Sequence, residues 1–371
     1  MSRKTGLMWN ERFMWHEQGR YAGILPADYP LQPGRHHENP ETKRRLKNLL
    51  DASGLSEHLT PIKAREISRE ELLRVHTPAY LDKLEAGNLE AAAIAGFDAP
   101  YTRGSVDIAK LAAGGCLAAV DAICSGQVDN AYALTRPIGH HAEPDEGKGF
   151  CLFSNASLAA RHAQARHGIR RVALIDLDVH HGNGAERVFW RDPSVLTISL
   201  HQDQWFPPDS GFLEDVGEGA GKGYNLNVPL PAGCGFGAYQ AAFERVVLPA
   251  LERFEPELVI VPCGYDAGAQ DPLGRMILHS EAFRWFIARL RGIAERFAGG
   301  RLLVTHEGGY NEFTIPFMGL AVFEELSGID SGVVDPHRDI FVAMKGHELL
   351  PHQEAVIDAA AALARDIRKP E

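Results

Sequence analysis

The chain has 371 residues, 45% of them hydrophobic and 23% charged, with a formal net charge of −11. That composition supplies a large core and lies in the ordinary range of soluble globular proteins. It excludes two classes: a general nucleic-acid binder needs a basic surface, and no apolar run approaches the ~20 residues needed to span a bilayer. The stretch Met1-Ser2-Arg3-Lys4-Thr5 has neither the apolar segment nor the small-residue cleavage site of a signal peptide. Five cysteines (Cys116, Cys124, Cys151, Cys234, Cys263), an odd number without CxxC spacing, read as reduced thiols of a cytoplasmic protein. No linker, repeat or low-complexity tract marks a boundary, so residues 1–371 are read as one domain.

In chain order, Pro40 to Gly54 is a charged amphipathic segment with Leu46, Leu49 and Leu50 on one face. Ile108 to Ile123 is an alanine-rich helix whose Gly114-Gly115 pair predicts close packing against a neighbour. Ala131 to Leu134 is a short strand leading into Arg136-Pro137-Ile138-Gly139-His140-His141, and Ser154 to His167 reads as helix. Arg171-Val172-Ala173-Leu174-Ile175 is a buried strand that breaks off into Asp176-Leu177-Asp178-Val179-His180-His181-Gly182-Asn183. Val195 to Leu200 is another, ending at His201. Gln202 to Gly237, rich in glycine and proline, and Gly139 to Gly149 are expected to be the loops of a site mouth. Leu258 to Gly264 runs into Tyr265-Asp266, and Leu302 to His306 into Glu307-Gly308-Gly309-Tyr310. Between them, Phe283, Phe286, Ile287, Leu290, Ile293, Ala294 and Phe297 recur at helical spacing. Such alternation predicts βαβ units, a parallel sheet and helices on both faces. The carboxyl ends of strands in an open sheet of this kind line the ligand crevice. The ionisable tips are therefore expected to meet.

Asp176, Asp178 and His180 stand at i, i+2 and i+4, a spacing that on an extended backbone sends all three to one side. Asp178, His180 and a remote Asp266 make a mixed oxygen and nitrogen set of three ligands. Three protein ligands with an open position is a catalytic metal arrangement, and zinc, iron(II), manganese and cobalt all accept it. Buried carboxylates and imidazoles at a strand end cost several kcal/mol each unless paired or coordinated, about the size that makes coordination the simplest reading. His140 and His141, at another strand end, are natural proton carriers near neutral pH. Asp176 is free to orient one of them, and the Tyr310 phenol is a candidate donor to a developing oxyanion. His36-His37 reads as a chance pair in a chain of 17 histidines.

Five co-linear segments resemble the zinc-dependent histone deacetylase family, in particular its class II branch and bacterial histone deacetylase-like amidohydrolases. They are Arg136 to Glu143, Gly149-Phe150-Cys151, Asp176 to Gly184, Gly264 to Ala267 and Glu307 to Asn311. The resemblance implies a three-layer α/β/α arginase–deacetylase fold around a mainly parallel sheet. It implies zinc on Asp178, His180 and Asp266, His141 as general base and then acid, His140 tuned through Asp176, and Tyr310 on the substrate carbonyl. It further implies a narrow tunnel with Phe150 and Phe206 as parallel walls, Gly149 beside them, Leu273 at the rim and Asp98 accepting from the substrate backbone. Potassium is implied at two places: one with Asp176, Asp178, His180, Ser199 and Leu200, the other with Phe189, Asp192, Val195 and Tyr224.

The sequence departs from class I members at Asn183, where they carry an aspartate that partners the second histidine. Asparagine cannot supply the charge that raises a histidine pKa. The implied activity is removal of acetyl, or another short acyl group, from acetyl-lysine in proteins or peptides. The alternative is an acetylpolyamine amidohydrolase, whose rim favours a carboxylate where Asp271-Pro272-Leu273-Gly274 presents an apolar leucine. The expected partner is an acetylated peptide, protein or small amine, with no nucleic acid and no membrane; a homo-oligomer is compatible.

Overall fold

A computed structural model describes residues 3–26 and 29–370. Met1, Ser2, Ala27, Asp28 and Glu371, including the first residues of the N-terminal reading above, lie outside it. Eight parallel strands form one sheet: β1 (Thr5–Met8), β2 (Thr60–Ile62), β3 (Asn130–Ala133), β4 (Val172–Asp176), β5 (Val195–Gln202), β6 (Asn225–Leu230), β7 (Leu258–Cys263) and β8 (Leu302–His306). The spatial order is β6-β5-β4-β7-β8-β3-β1-β2. Every pairing is parallel.

Alternation within the strands builds the layers. Tyr132, Ala173, Ile175, Val259, Val261, Leu302 and Val304 face one apolar cluster. Their neighbours Ala131, Ala133, Val172, Leu174, Leu258, Ile260 and Leu303 face the other. Being buried on both sides, these strands carry no polar face, which is why they read as continuous apolar runs. The principal helices are α1 (Glu41–Ala52), α2 (Ser105–Cys124), α3 (Asn155–His167), α4 (Asn183–Phe189), α5 (Ser280–Phe297), α6 (Ile315–Ser327) and α7 (Pro351–Ala364). α1, α5, α6 and α7 cover the first face; α2, α3 and α4 cover the second. The expected three layers are present. Gly114 and Gly115 do what their pairing predicts: a Cβ on Gly114 would run into the Arg65 carbonyl, and one on Gly115 into Met8.

The topology explains where a site must lie. From β4 the chain steps outward through β5 and β6, then returns to place β7 on the other side of β4. That reversal opens a crevice beyond the carboxyl ends of β4 and β7. The three apolar runs with ionisable tips are the adjacent strands β4, β7 and β8, with β3 beside them. The stretch Gln202 to Gly237 is not all loop, since it contains β6. Among the described residues no helix is long and apolar enough to cross a membrane, and all five cysteines are free.

Candidate active site

The strand β4 ends at Asp176, so the extended backbone expected through His180 stops earlier. Each aspartate instead folds the chain two residues onward: Asp178 N donates to Asp176 Oδ1 at 3.0 Å, and His180 N to Asp178 Oδ1 at 2.9 Å. Such side-chain turns are what aspartate favours outside regular structure. They carry Asp178 and His180 toward Asp266, which follows β7. One ligand atom from each lies within 4.8 Å of the others, and all three residues are buried. His180 Nδ1 is 2.9 Å from Asp178 Oδ1 and 3.2 Å from Asp266 Oδ2. The remaining carboxylate oxygens are fixed by backbone: Val179 N donates to Asp266 Oδ1, and Gly308 N to Asp178 Oδ2, each at 2.8 Å. Gly264 and Gly308 are required by this crowding, since a Cβ on either would strike Asp178 or Asp266 oxygens.

The tandem histidines sit above this trio. His140 Nδ1 lies 3.0 Å from Asp176 Oδ2, and His141 Nδ1 2.7 Å from Asn183 Oδ1. The rings are close but tilted, with centroids 3.8 Å apart and planes 38° from parallel. Burial opposes a charge on His140, but Asp178 and Asp176 outweigh it and push its pKa up to about 10. Burial also opposes a charge on His141, and there the neighbouring His140 and His180 add to it, so its pKa is lowered. Two adjacent imidazoles with opposite shifts have environments suited to different roles in proton transfer. Burial raises the pKa of the Tyr310 phenol, which keeps it a donor. Its loop is pinned by Asp271, whose carboxylate accepts from Tyr310 N at 2.7 Å and Leu273 N at 2.9 Å.

A cavity of about 150 Å³ reaches His141, His180 and Tyr310 from the surface. Its walls include all five tunnel residues expected from sequence: Asp98, Gly149, Phe150, Phe206 and Leu273. Phe206 stacks on Phe97, with centroids 5.9 Å apart and planes 13° from parallel. Phe150 meets His36 edge-on at 4.8 Å. Two backbone bonds, Gly149 N to Phe97 O and Phe150 N to Asp98 O, clip the two wall loops together. Ile24 and Trp205, which the sequence reading did not single out, complete the mouth.

Residues 36–326 match the family model of the histone deacetylase domain. The chain belongs to the histone deacetylase family. It is 52% identical over 342 residues to the histone deacetylase-like amidohydrolase of Pseudomonas aeruginosa, covering 91% of this chain and 90% of that protein. It is 32% identical over 331 residues to a probable deacetylase of Archaeoglobus fulgidus, covering 89% and 88%. The crystal structure of the HDA15 HD domain matches with a TM-score of 0.85 and 32% identity, over 98% of this chain and 95% of that one. The fold is therefore the arginase–deacetylase fold, and the protein is a hydrolase of the deacetylase type.

Several residues of this deacetylase's interior escaped the sequence reading. Glu307 is fully buried and accepts from Gly139 N at 2.8 Å and His140 N at 3.2 Å, fixing the tandem-histidine loop. Behind Phe150 and Tyr310 lies a buried charge cluster: Glu38 pairs with Arg136 at 2.9 Å and Lys43 at 3.6 Å. Burial alone would raise the Glu38 carboxyl, but the two cations hold it at about 2. His36, beside this cluster, is buried and serves the tunnel wall. Lys43 was detectable, because it precedes Leu46 and Leu50 by three and seven residues on the inward face of α1. Of the potassium residues, Asp176 and Ser199 are register partners on β4 and β5. Asp192 N donates to Phe189 O, and Thr197 N to Tyr224 O, close to Val195 at the start of β5.

Proposed function

We propose that this deacetylase is a zinc-dependent amidohydrolase that removes acetyl groups from the side-chain amine of acetyl-lysine in peptides or proteins. The observation carrying the reading is a largely apolar cavity that reaches His141, His180 and Tyr310, with His180 one of the buried trio Asp178, His180 and Asp266. Their donor set fits zinc: two carboxylates and an imidazole, with room for one further ligand. Asp266 Oδ2 is buried without a hydrogen-bond donor among the described residues, although His180 Nδ1 lies 3.2 Å away. A divalent cation would satisfy that oxygen and offset the clustered carboxylates. Zinc held there would polarise the scissile carbonyl and acidify the attacking water. Potassium is the second cation of the proposal, on the Asp176, Ser199 and Leu200 side of β5 and near Phe189, Asp192, Val195 and Tyr224.

The chain's own residues supply the rest. Asn183 Nδ2 donates to Glu143 and to the His141 carbonyl, so its Oδ1 is the atom facing His141. That assigns the proton of His141 to Nδ1 and leaves Nε2 as the base. His141 accepts a proton from the attacking water and returns it to the leaving amine. Tyr310 donates its phenolic hydrogen to the substrate carbonyl oxygen as negative charge develops there. Acetate and a free amine result. Phe150 and Phe206, the latter backed by Phe97, hold the thin aliphatic chain and exclude water, while Asp98 at the mouth accepts hydrogen bonds from a peptide backbone.

The rim favours acetyl-lysine over an acetylated polyamine. Leu273, Ile24 and Trp205 are apolar, and both oxygens of Asp271 are engaged by backbone N–H groups. Among the described residues, no carboxylate on the Leu273 side of the mouth is left for a second ammonium. The test is kcat/KM for an acetyl-lysine peptide against acetylputrescine and acetylspermidine. An advantage of at least about tenfold for the peptide, worth ~1.4 kcal/mol of transition-state binding, is expected. The reverse order would replace the acetyl-lysine reading with the polyamine one.

A further inference from the structure

A second set of ligand atoms gathers far from the carboxyl edge of the sheet. The helix α3 begins just after the tunnel loop and ends at His167, about 18 Å along its axis at ~1.5 Å per residue. There His162 Nε2 and His167 Nε2 each lie 2.7 Å from Asp121 Oδ1, on α2. Ligand atoms of all three lie within 4.8 Å of one another. The two rings stand 5.8 Å apart, centroid to centroid. His162 is buried, whereas the side chains of Asp121 and His167 are 44% and 25% exposed at a surface cleft of about 640 Å³.

We propose that Asp121, His162 and His167 form a second metal site, taking a divalent transition-metal ion of zinc type, that ties α2 to α3 away from the catalytic crevice. Two imidazoles and a carboxylate with water in the remaining position is a zinc-compatible set. Nitrogen donors favour zinc, nickel or copper over magnesium or calcium, which take oxygen ligands.

The proton balance is local. When Nε2 of His162 binds metal, the ring proton resides on Nδ1. Glu71 Oε1 lies 3.7 Å from that nitrogen, in the role of the carboxylate that orients a metal-bound imidazole. Arg74 Nη1, 3.4 Å from the same Nδ1, then loses its acceptor and keeps Glu70, 3.8 Å away. Arg65 on the cleft wall is already neutralised by a two-pronged pair with Glu71, at 2.7 and 2.9 Å. No unpaired cation from these two arginines opposes an incoming metal. The two 2.7 Å contacts would widen to about 3.3–3.6 Å around a four-coordinate ion with metal–ligand bonds of ~2.0–2.2 Å.

The experiment is equilibrium dialysis of the full chain against ZnCl₂, followed by metal quantification, for wild type, His167→Ala and Asp121→Asn. Each variant should bind one equivalent fewer than wild type while keeping wild-type deacetylase turnover. Loading with CoCl₂ should show the same difference as a loss of visible d–d absorption, and MgCl₂ should show none. Asp121→Asn keeps side-chain volume at an exposed position, so it decides the matter if His167→Ala folds poorly. Equal zinc content in all three proteins would overturn the site, whatever occupies Asp178, His180 and Asp266. So would magnesium binding that the variants abolish, because it would mark an oxygen site.

Discussion

The side-chain amide of Asn183 fixes the working tautomer of His141. Asn183 Oδ1 lies 2.7 Å from His141 Nδ1, while its Nδ2 is held by Glu143 Oε1 at 2.8 Å. The carboxylate that class I relatives place directly against this histidine is here one hydrogen bond further back. Lys148 pairs with the same Glu143 oxygen at 2.7 Å.

On the proposed role of His141 as base, Glu143 is placed to act on it through Asn183. Glu143→Ala frees the amide to flip and present Nδ2 to His141, which would put the ring proton on the wrong nitrogen. Turnover should fall by about tenfold or more with KM little changed, in the lower part of the range for disturbed acid–base catalysis. Glu143→Gln keeps an acceptor and should restore most of the rate. Steady-state kinetics of the two variants decide it; equal losses in both would contradict the orienting role.

Tyr310→Phe removes the oxyanion donor and keeps the ring. Turnover should drop by about 10²–10³, with KM and the unfolding midpoint close to wild type. A wild-type kcat on every acetyl-amine tested would reduce Tyr310 to a packing residue.

Asp98 links the tunnel mouth to pH. Burial pushes its carboxyl up to about 6, so it protonates well above the ordinary range of aspartate. If it accepts substrate backbone N–H groups as proposed, that ability is lost as pH falls through 6, and KM for peptides should rise there. In Asp98→Asn that rise should be absent. The stability sign is the opposite of an ion-paired aspartate: with the folded pKa above the unfolded one, ionisation at higher pH costs stability. Asp98→Asn should thus unfold no earlier than wild type near neutrality. Its φ of 54° is a conformation asparagine also tolerates.

The Glu38 cluster should matter for folding. Glu38→Gln leaves Arg136 and Lys43 buried without their counter-charge, a loss on the order of 3–5 kcal/mol, readable from denaturant midpoints. Because the folded pKa of Glu38 is about 2, below its ordinary 4.5, wild type keeps this contribution above pH 4.5. It should lose it progressively as the pH falls toward 2.

The gathering of Asp178, His180, Asp266 and the tandem histidines was legible because each follows an apolar run, and neighbouring strands of a parallel sheet bring such ends together. Less legible was anything held by long-range pairing. Glu38 and Arg136 are 98 residues apart, and neither periodicity nor composition announces a partner at that distance. Lys43 shares the inward spacing of Leu46 and Leu50 on α1, a signal outweighed because a helical lysine reads as surface until its acid is known. Strand β6 was lost in Gly/Pro-rich surroundings. Its Asn225 and Asn227 alternate with leucine and valine and turn to one carboxylate oxygen of Glu186, at 2.7 and 2.8 Å. Gly264 and Gly308 are needed because carboxylates crowd the backbone there, which the motif alone does not reveal.

The most direct measurement is acetate release from an acetyl-lysine peptide by chelator-stripped protein, as zinc is added back. Activity should be absent without metal, rise in proportion to the first equivalent and level off. Asp178→Ala should stay inactive throughout. Full turnover by the stripped protein, or an unchanged response in Asp178→Ala, would contradict a zinc-dependent deacetylase built on Asp178, His180 and Asp266.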